Sequence, residues 1–136
     1  MIYVLVTGSR FAKWSPWAMF IREGILAHVQ TEPYSLVIGG AKGIDSIAEE
    51  LAGGMQPKAQ TVHRFPADWK AHGKAAGPRR NQQMLDFVLE RVAEGHSVVC
   101  LAFHDDLGAS KGTRDMVRRA TVAGIPVKVD DGKAVA

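Results

Sequence analysis

Five short runs rich in Val, Ile and Leu constrain the fold more than any other feature of the chain: residues 2–6, 35–38, 61–65, 97–103 and 126–129. Most lack apolar and polar alternation, the pattern of strands covered on both faces in a parallel sheet. Between them lie segments with helical spacing. In the first, Ser15 stands at an N-cap position, Pro16 suits the first helical residue, and Trp17, Ala18, Ile21, Ile25 and Val29 follow one face. In the second, Ser46 and Glu49 have capping-box spacing ahead of Leu51. The third begins near Pro78 and sets Met84, Leu85, Val88 and Val92 on one stripe, and the fourth covers 113–123 with Met116, Val117 and Ala120 inward. This alternation predicts one Rossmann-like three-layer α/β/α domain over residues 1–136, with a five-stranded, mainly parallel sheet.

Loop lengths separate the two edges of that sheet. Helix-to-strand links are short, whereas the strand-to-helix links 7–14, 66–77 and 104–112 are longer than such connections usually are. Ligands of open α/β sheets bind beyond the carboxyl ends of the strands, which is where this chain places its long loops.

Each of those loops carries groups suited to an anion. Thr7-Gly8-Ser9-Arg10 follows the first strand: glycine permits close backbone approach, the hydroxyls donate, and Arg10 can grip phosphate or carboxylate in two places. A tight turn with a solvent-facing Arg fits the same residues. Gly39-Gly40-Ala41-Lys42-Gly43-Ile44-Asp45 follows the second strand, and three glycines in five residues at a helix start can expose backbone N–H groups to an anion. Asp45 can accept from a ribose hydroxyl or cap the helix. In the longest loop, Trp69 can stack on a base or fold onto the core, and Arg79, Arg80 and Asn81 open a helix where cations are disfavoured without an anion. Lys111-Gly112-Thr113 opens the last helix as another anion cradle, with Thr113 as cap or phosphate ligand. Neither a G-x-G-x-x-G fingerprint nor a Walker A loop is present. His104-Asp105-Asp106 reads as a solvated turn or as an acid, base or Mg²⁺ ligand.

Charge sharpens this picture. The chain carries +3 overall, yet 58–80 holds six Lys and Arg against Asp68 alone, giving +5 and leaving −2 elsewhere. Such a segment reads as a local attractor for a phosphorylated ligand rather than a coat for a polymer. A single Cys, Cys100, in an apolar run predicts a small buried side chain and a reducing compartment. The five His show no close ligand spacing, so no metal site is expected, and the N-terminus resembles neither a signal peptide nor a membrane span. A cytoplasmic protein without membrane contact is the expectation.

In order, these motifs resemble the YspA-like group of the SLOG superfamily, which includes the DprA recombination mediators and the LOG phosphoribohydrolases. The resemblance rests on the first two loops, on Ala67-Asp68-Trp69 with Gly73-Lys74-Ala75-Ala76-Gly77-Pro78-Arg79-Arg80-Asn81, and on Lys111-Gly112-Thr113. It implies a Rossmann-like domain binding a nucleotide-derived molecule, related to NAD or ADP-ribose or a signalling nucleotide, with no further cofactor, a homo-oligomeric state and a bacterial or phage origin. It also implies ligand contacts from Gly8, Ser9, Arg10, Gly39, Gly40, Lys42, Gly43, Asp45, Arg80, Asn81, Gly112 and Thr113, and the loop residues Thr7, Ala41, Asp68, Trp69, Gly77 and Lys111 complete the expected ligand-binding set. LOG enzymes carry a catalytic Glu where this chain has Met116, and Asp115, one residue earlier, lies about 100° away around a helix. A sensor or sequestering role is therefore the first reading. A nucleotide N-glycosidase with Asp68 as its carboxylate is the second, and a DprA-like single-stranded DNA binder the third.

Overall fold

The computed structural model describes residues 1–133. Strand β1 (Ile2–Gly8) leads to helix α1 (Trp14–Val29), then β2 (Tyr34–Ile38), α2 (Ile44–Gly54) and β3 (Ala59–Arg64). A single-turn helix α3 (Trp69–His72) precedes α4 (Ala76–Ala93), β4 (Ser97–Phe103), α5 (Lys111–Val122) and β5 (Val127–Asp130). The strands form one sheet in the order β3-β2-β1-β4-β5, with every pairing parallel. This is the five-stranded Rossmann-like α/β/α arrangement that the sequence predicts.

The core has two halves because strand side chains alternate across the sheet. Val4, Val6, Leu36, Ile38, Val99, Leu101 and Phe103 join Ile21, Ile25 and Val29 of α1 and Ile44, Ile47 and Ala48 of α2. Leu5, Val37, Val98 and Cys100 meet Met84, Leu85 and Val88 of α4 and Met116 and Ala120 of α5. Each fully buried aliphatic side chain contributes about 1.5–3 kcal/mol, so both helical layers are held mainly by these stripes. Burial pushes the Cys100 thiol up to about 12, leaving it an inert core group. The inner strands β2 and β4 are almost wholly buried, whereas β3 and β5 at the sheet edges are partly exposed.

Helix entrances differ from the sequence pattern in ways that bear on the site. Ser15 has extended backbone, so the regular part of α1 starts at Pro16 as predicted, and Trp17 is buried edge-on against Phe20 and Phe103 while Trp14 stays half-exposed. The Ser46/Glu49 capping box does not form. Helix α2 starts earlier, at Ile44 with Gly43 as its N-cap, so Ser46 lies inside its first turn with Oγ donating to Ala41 O, and Glu49 pairs with Arg64 on β3. Helix α4 begins at Ala76 rather than near Pro78, and Val92 is exposed near its end instead of completing the buried stripe. The cap of α5 is Ser110, not Thr113. No helix among the described residues is long and apolar enough to cross a membrane.

Candidate functional site

The chain steps outward from β1 to β2 and β3, then returns to lay β4 on the other side of β1. The loops after β1 and β4 therefore leave for opposite faces of the sheet, opening a crevice between them.

The loop after β1 is tied down by Ser9. Its N–H donates to Phe103 O at 3.1 Å, its Oγ accepts from Phe11 N–H at 3.1 Å, and its carbonyl accepts from Ile44 N–H at 3.0 Å. These bonds join β1, β4 and the start of α2. Two glycines permit the fit: a Cβ at Gly8 would strike Phe103 O and Ile44, and one at Gly43, where φ is +75°, would strike Ser9 and Arg10. Part of the glycine-rich sequence thus serves packing between loops, and the leading amide of α2 is already taken.

Asp45 follows within the first turn of α2. It is only 7% exposed, and one carboxylate oxygen, Oδ2, accepts from Ala41 N–H at 3.1 Å. Oδ1 is buried and has no hydrogen-bond partner among the described residues. Burial pushes the carboxyl up to about 6, against the pull of Ala41 N–H, the Arg80 charge and Gly39 N–H.

Arg80 enters from α4 and is held in one pose. Nη1 donates to Gly39 O at 2.8 Å and Nε to Asn81 Oδ1 at 3.2 Å, while a side chain at Gly39 would collide with the guanidinium. Burial lowers its pKa, the nearby Asp45 raises it, and Arg10 lowers it again. Arg10 itself makes no hydrogen bond or ion pair among the described residues. Asn81 is buried and bridges two helices, with Nδ2 donating to Gly112 O at 3.2 Å and Asp115 Oδ2 at 3.0 Å. Asp115 also accepts from Arg118 and Arg119; burial would raise its pKa, but these donors outweigh it and hold the carboxyl below its usual range. Asp115 thus faces α4, and Met116 is buried in the core.

At the start of α5, Ser110 Oγ accepts from Thr113 N–H at 3.2 Å, and Arg114 Nη1 donates to Gly108 O at 3.0 Å. The N–H groups of Lys111 and Gly112 have no partner among the described residues, and a Cβ on Gly112 would meet nothing within 4 Å. This entrance is open.

Two adjoining cavities, of about 800 and 680 Å³, lie along this edge. The first takes in Thr7, Gly8, Ser9, Asp45, Asn81, Lys111, Gly112 and Thr113; the second takes in Gly40, Lys42 and Trp69. Arg10, Phe11, Gly39, Ala41 and Arg80 border both. Three residues predicted for the site lie outside these linings. Gly43 packs beneath the first loop, Gly77 lies 3.5 Å from the Trp69 ring where its Cβ would be, and Asp68 is exposed, its Oδ1 accepting from Ala71 N–H at 3.1 Å to cap α3.

The basic segment 58–80 does not converge on the site as a whole. Of its six cations only Arg80 borders a cavity, and Arg64 is paired with Glu49. The cations gathered there are Arg10, Lys13, Lys42, Arg80 and Lys111, drawn from the loops after β1 and β2 and from the starts of α4 and α5. The sequence reading also missed Phe11, which is 85% exposed at the boundary of both cavities. An aromatic residue beside the Arg of a strand-end loop was the available signal. His104 borders the first cavity, and its Nδ1 accepts from Asp106 N–H at 2.9 Å, which puts the proton of the neutral ring on Nε2. Among the described residues no group of three or more His, Cys, Asp or Glu side chains is placed to hold a metal ion.

No protein-family model matches the chain, so the SLOG resemblance rests on its motifs, and no solved structure matches it. Over 132 residues the chain is 42% identical to the Gene 61 protein of Mycobacterium phage D29, covering 91% of this chain and 92% of that protein. The chain belongs to the family of that phage protein.

Proposed function

We propose that this protein binds a nucleotide or nucleotide-derived small molecule, related to NAD or ADP-ribose or a signalling nucleotide, and acts as a sensor or sequestering protein. The observation that carries this reading is the pair Arg10 and Arg80 on the boundary of two adjoining cavities, near enough for one charge to disfavour the other. An anion between them relieves that repulsion. The unpartnered amides of Lys111 and Gly112 and the positive end of α5 add donors for phosphate in the first cavity. Trp69 and Phe11 offer aromatic surface for a base in the second. The SLOG resemblance of the motifs points the same way, and a phage relative fits a protein acting in an infected cell's cytoplasm.

The test is the melting temperature against a panel of NAD, ADP-ribose, nucleoside mono- and triphosphates and cyclic dinucleotides. At least one should raise it by several degrees, since a ligand at ~100 times its Kd adds about 2.7 kcal/mol. No shift from any of them at millimolar concentration would remove the reading.

One observation favours a second reading, a nucleotide N-glycosidase. A carboxyl held at about 6 within the first cavity suits stabilisation of a developing oxocarbenium ion, and it belongs to Asp45 rather than to Asp68. Base release from nucleoside monophosphates, lost in Asp45→Asn and kept in Asp68→Asn, would support it. No release at high protein concentration would exclude it.

A further inference from the structure

We infer that Asp45 makes the site selective for the vicinal hydroxyls of ribose, so that ligands lacking one of them bind much more weakly. The inference rests on the nucleotide-binding reading above and adds the sugar to it.

The argument starts from an incomplete hydrogen-bond inventory. An ionised carboxylate accepts at both oxygens, and burying one without a partner costs free energy that burial elsewhere must offset. Asp45 satisfies Oδ2 through Ala41 N–H, whereas Oδ1 is buried and makes no hydrogen bond among the described residues, Gly39 N–H being close enough only to pull on the carboxyl's charge. Arg80 lends charge and no bond, its hydrogen bonds going instead to Gly39 O and Asn81 Oδ1. Asp45 forms part of the lining of the first cavity, so a small turn of the carboxyl toward a ligand seated there gives it the missing donor.

Chemistry narrows what that donor is. A phosphate oxygen only accepts, and would face the carboxylate with like charge. A cationic ligand group is opposed by Arg10 and Arg80 on the same wall. A neutral donor is left, either a sugar hydroxyl or an N–H of the base. Trp69 belongs to the second cavity, whose lining does not include Asp45, and Phe11 borders both, so a base stacked on Trp69 sits away from the carboxyl. In a nucleotide the sugar joins phosphate to base, and Asp45 shares the first cavity with Lys111 and Gly112 while Trp69 lines the second. A hydroxyl donating to a buried carboxylate is a charge-assisted bond, and a ligand without it leaves that charge unpaired.

The experiment compares the 5′-mono- and diphosphates of the four ribonucleosides with their 2′-deoxy and 3′-deoxy counterparts by calorimetric titration, on the native protein and on Asp45→Ala. For ribonucleotides that bind the native protein, removing one of the two hydroxyls should weaken binding about tenfold or more. In Asp45→Ala the ribo and deoxy forms should agree within about threefold. Should Asp45→Ala fail to fold, Asp45→Asn keeps the Ala41 contact and should reduce the discrimination, since a neutral partner forms the weaker bond. Equal affinity of the ribo and both deoxy forms for the native protein would overturn the inference while leaving nucleotide binding intact. Discrimination undiminished in the variant that folds would also overturn it. No binding by any of these probes would overturn this inference, and the nucleotide reading falls with it if the wider melting-temperature panel is silent as well.

Discussion

The entrances to α2 and α5 look alike in sequence and differ in structure. Both follow an inner strand of the sheet, both are rich in glycine, and both carry a lysine. At α2 the polypeptide fills its own entrance: Ser9 O takes the leading amide at Ile44, and Gly43 exists to let the first loop lie against the helix. At α5 a Cβ on Gly112 would meet nothing within 4 Å, Ser110 Oγ satisfies only the third amide, and the first two, on residues that line the larger cavity, have no partner among the described residues. One glycine cluster serves assembly and the other leaves room. A glycine-rich helix start is therefore not in itself a phosphate cradle; what decides is whether another segment has already occupied it.

Four substitutions test that contrast, and the largest effect belongs to the filled entrance. Gly43→Ala places a Cβ at positive φ against the Ser9 and Arg10 backbone, and should cost about 3–5 kcal/mol or prevent folding, as read by chemical denaturation. Second comes Asp45→Asn. Because the native carboxyl titrates at about 6 against an ordinary 3.8, the folded protein holds its proton more tightly than the unfolded chain. Stability from this group is therefore full below the ordinary value, falls as pH rises through the window between the two, and stays low above about 6. Asp45→Asn should stabilise the unliganded protein by about 2–3 kcal/mol at neutral pH, and the gain should vanish in acid below that window. Third, Ser110→Ala removes the α5 cap and should cost about 1 kcal/mol. The smallest stability effect is at the open entrance: Gly112→Ala should leave stability unchanged or raise it by up to about 1 kcal/mol, while weakening phosphate binding by intruding on the cavity. If Gly112→Ala proved as damaging to folding as Gly43→Ala, the contrast would collapse.

What was legible in the sequence follows from burial. The runs that became β1, β2 and β4 are apolar because both of their faces are covered, so the sheet could be read without tertiary knowledge. The edge strands β3 and β5 have exposed positions, and their bounds shifted accordingly. Helix caps were harder. Ser46 and Glu49 have the right spacing for a box, but Gly43 and the carbonyl of Ser9, 34 positions before it, set the start of α2. No local pattern encodes that meeting.

The same limit governs the site. Most of the predicted loop residues do border the two cavities, because a parallel sheet sends every strand-end loop to one edge. Which carboxylate is buried there depends on packing. Asp68 looked more specific because it stands in the longest loop, yet that loop folds into α3 and uses Asp68 as its cap. Asp45 looked like a cap and is instead nearly buried at the edge of the first cavity, with one oxygen unpaired among the described residues. Charge misled for a related reason: 58–80 is dense in cations along the chain, but its side chains spread over the surface, and the cavities draw single cations from several loops.

The central claim is that the open start of α5, and not the filled start of α2, receives phosphate. It is tested most directly by amide chemical shifts of the labelled protein during titration with inorganic pyrophosphate. The resonances of Lys111 and Gly112 should move in a saturable way while that of Ile44, already bonded to Ser9 O, stays in place. Movement of Ile44 with Lys111 and Gly112 unchanged, or no saturable movement at either entrance, would contradict it.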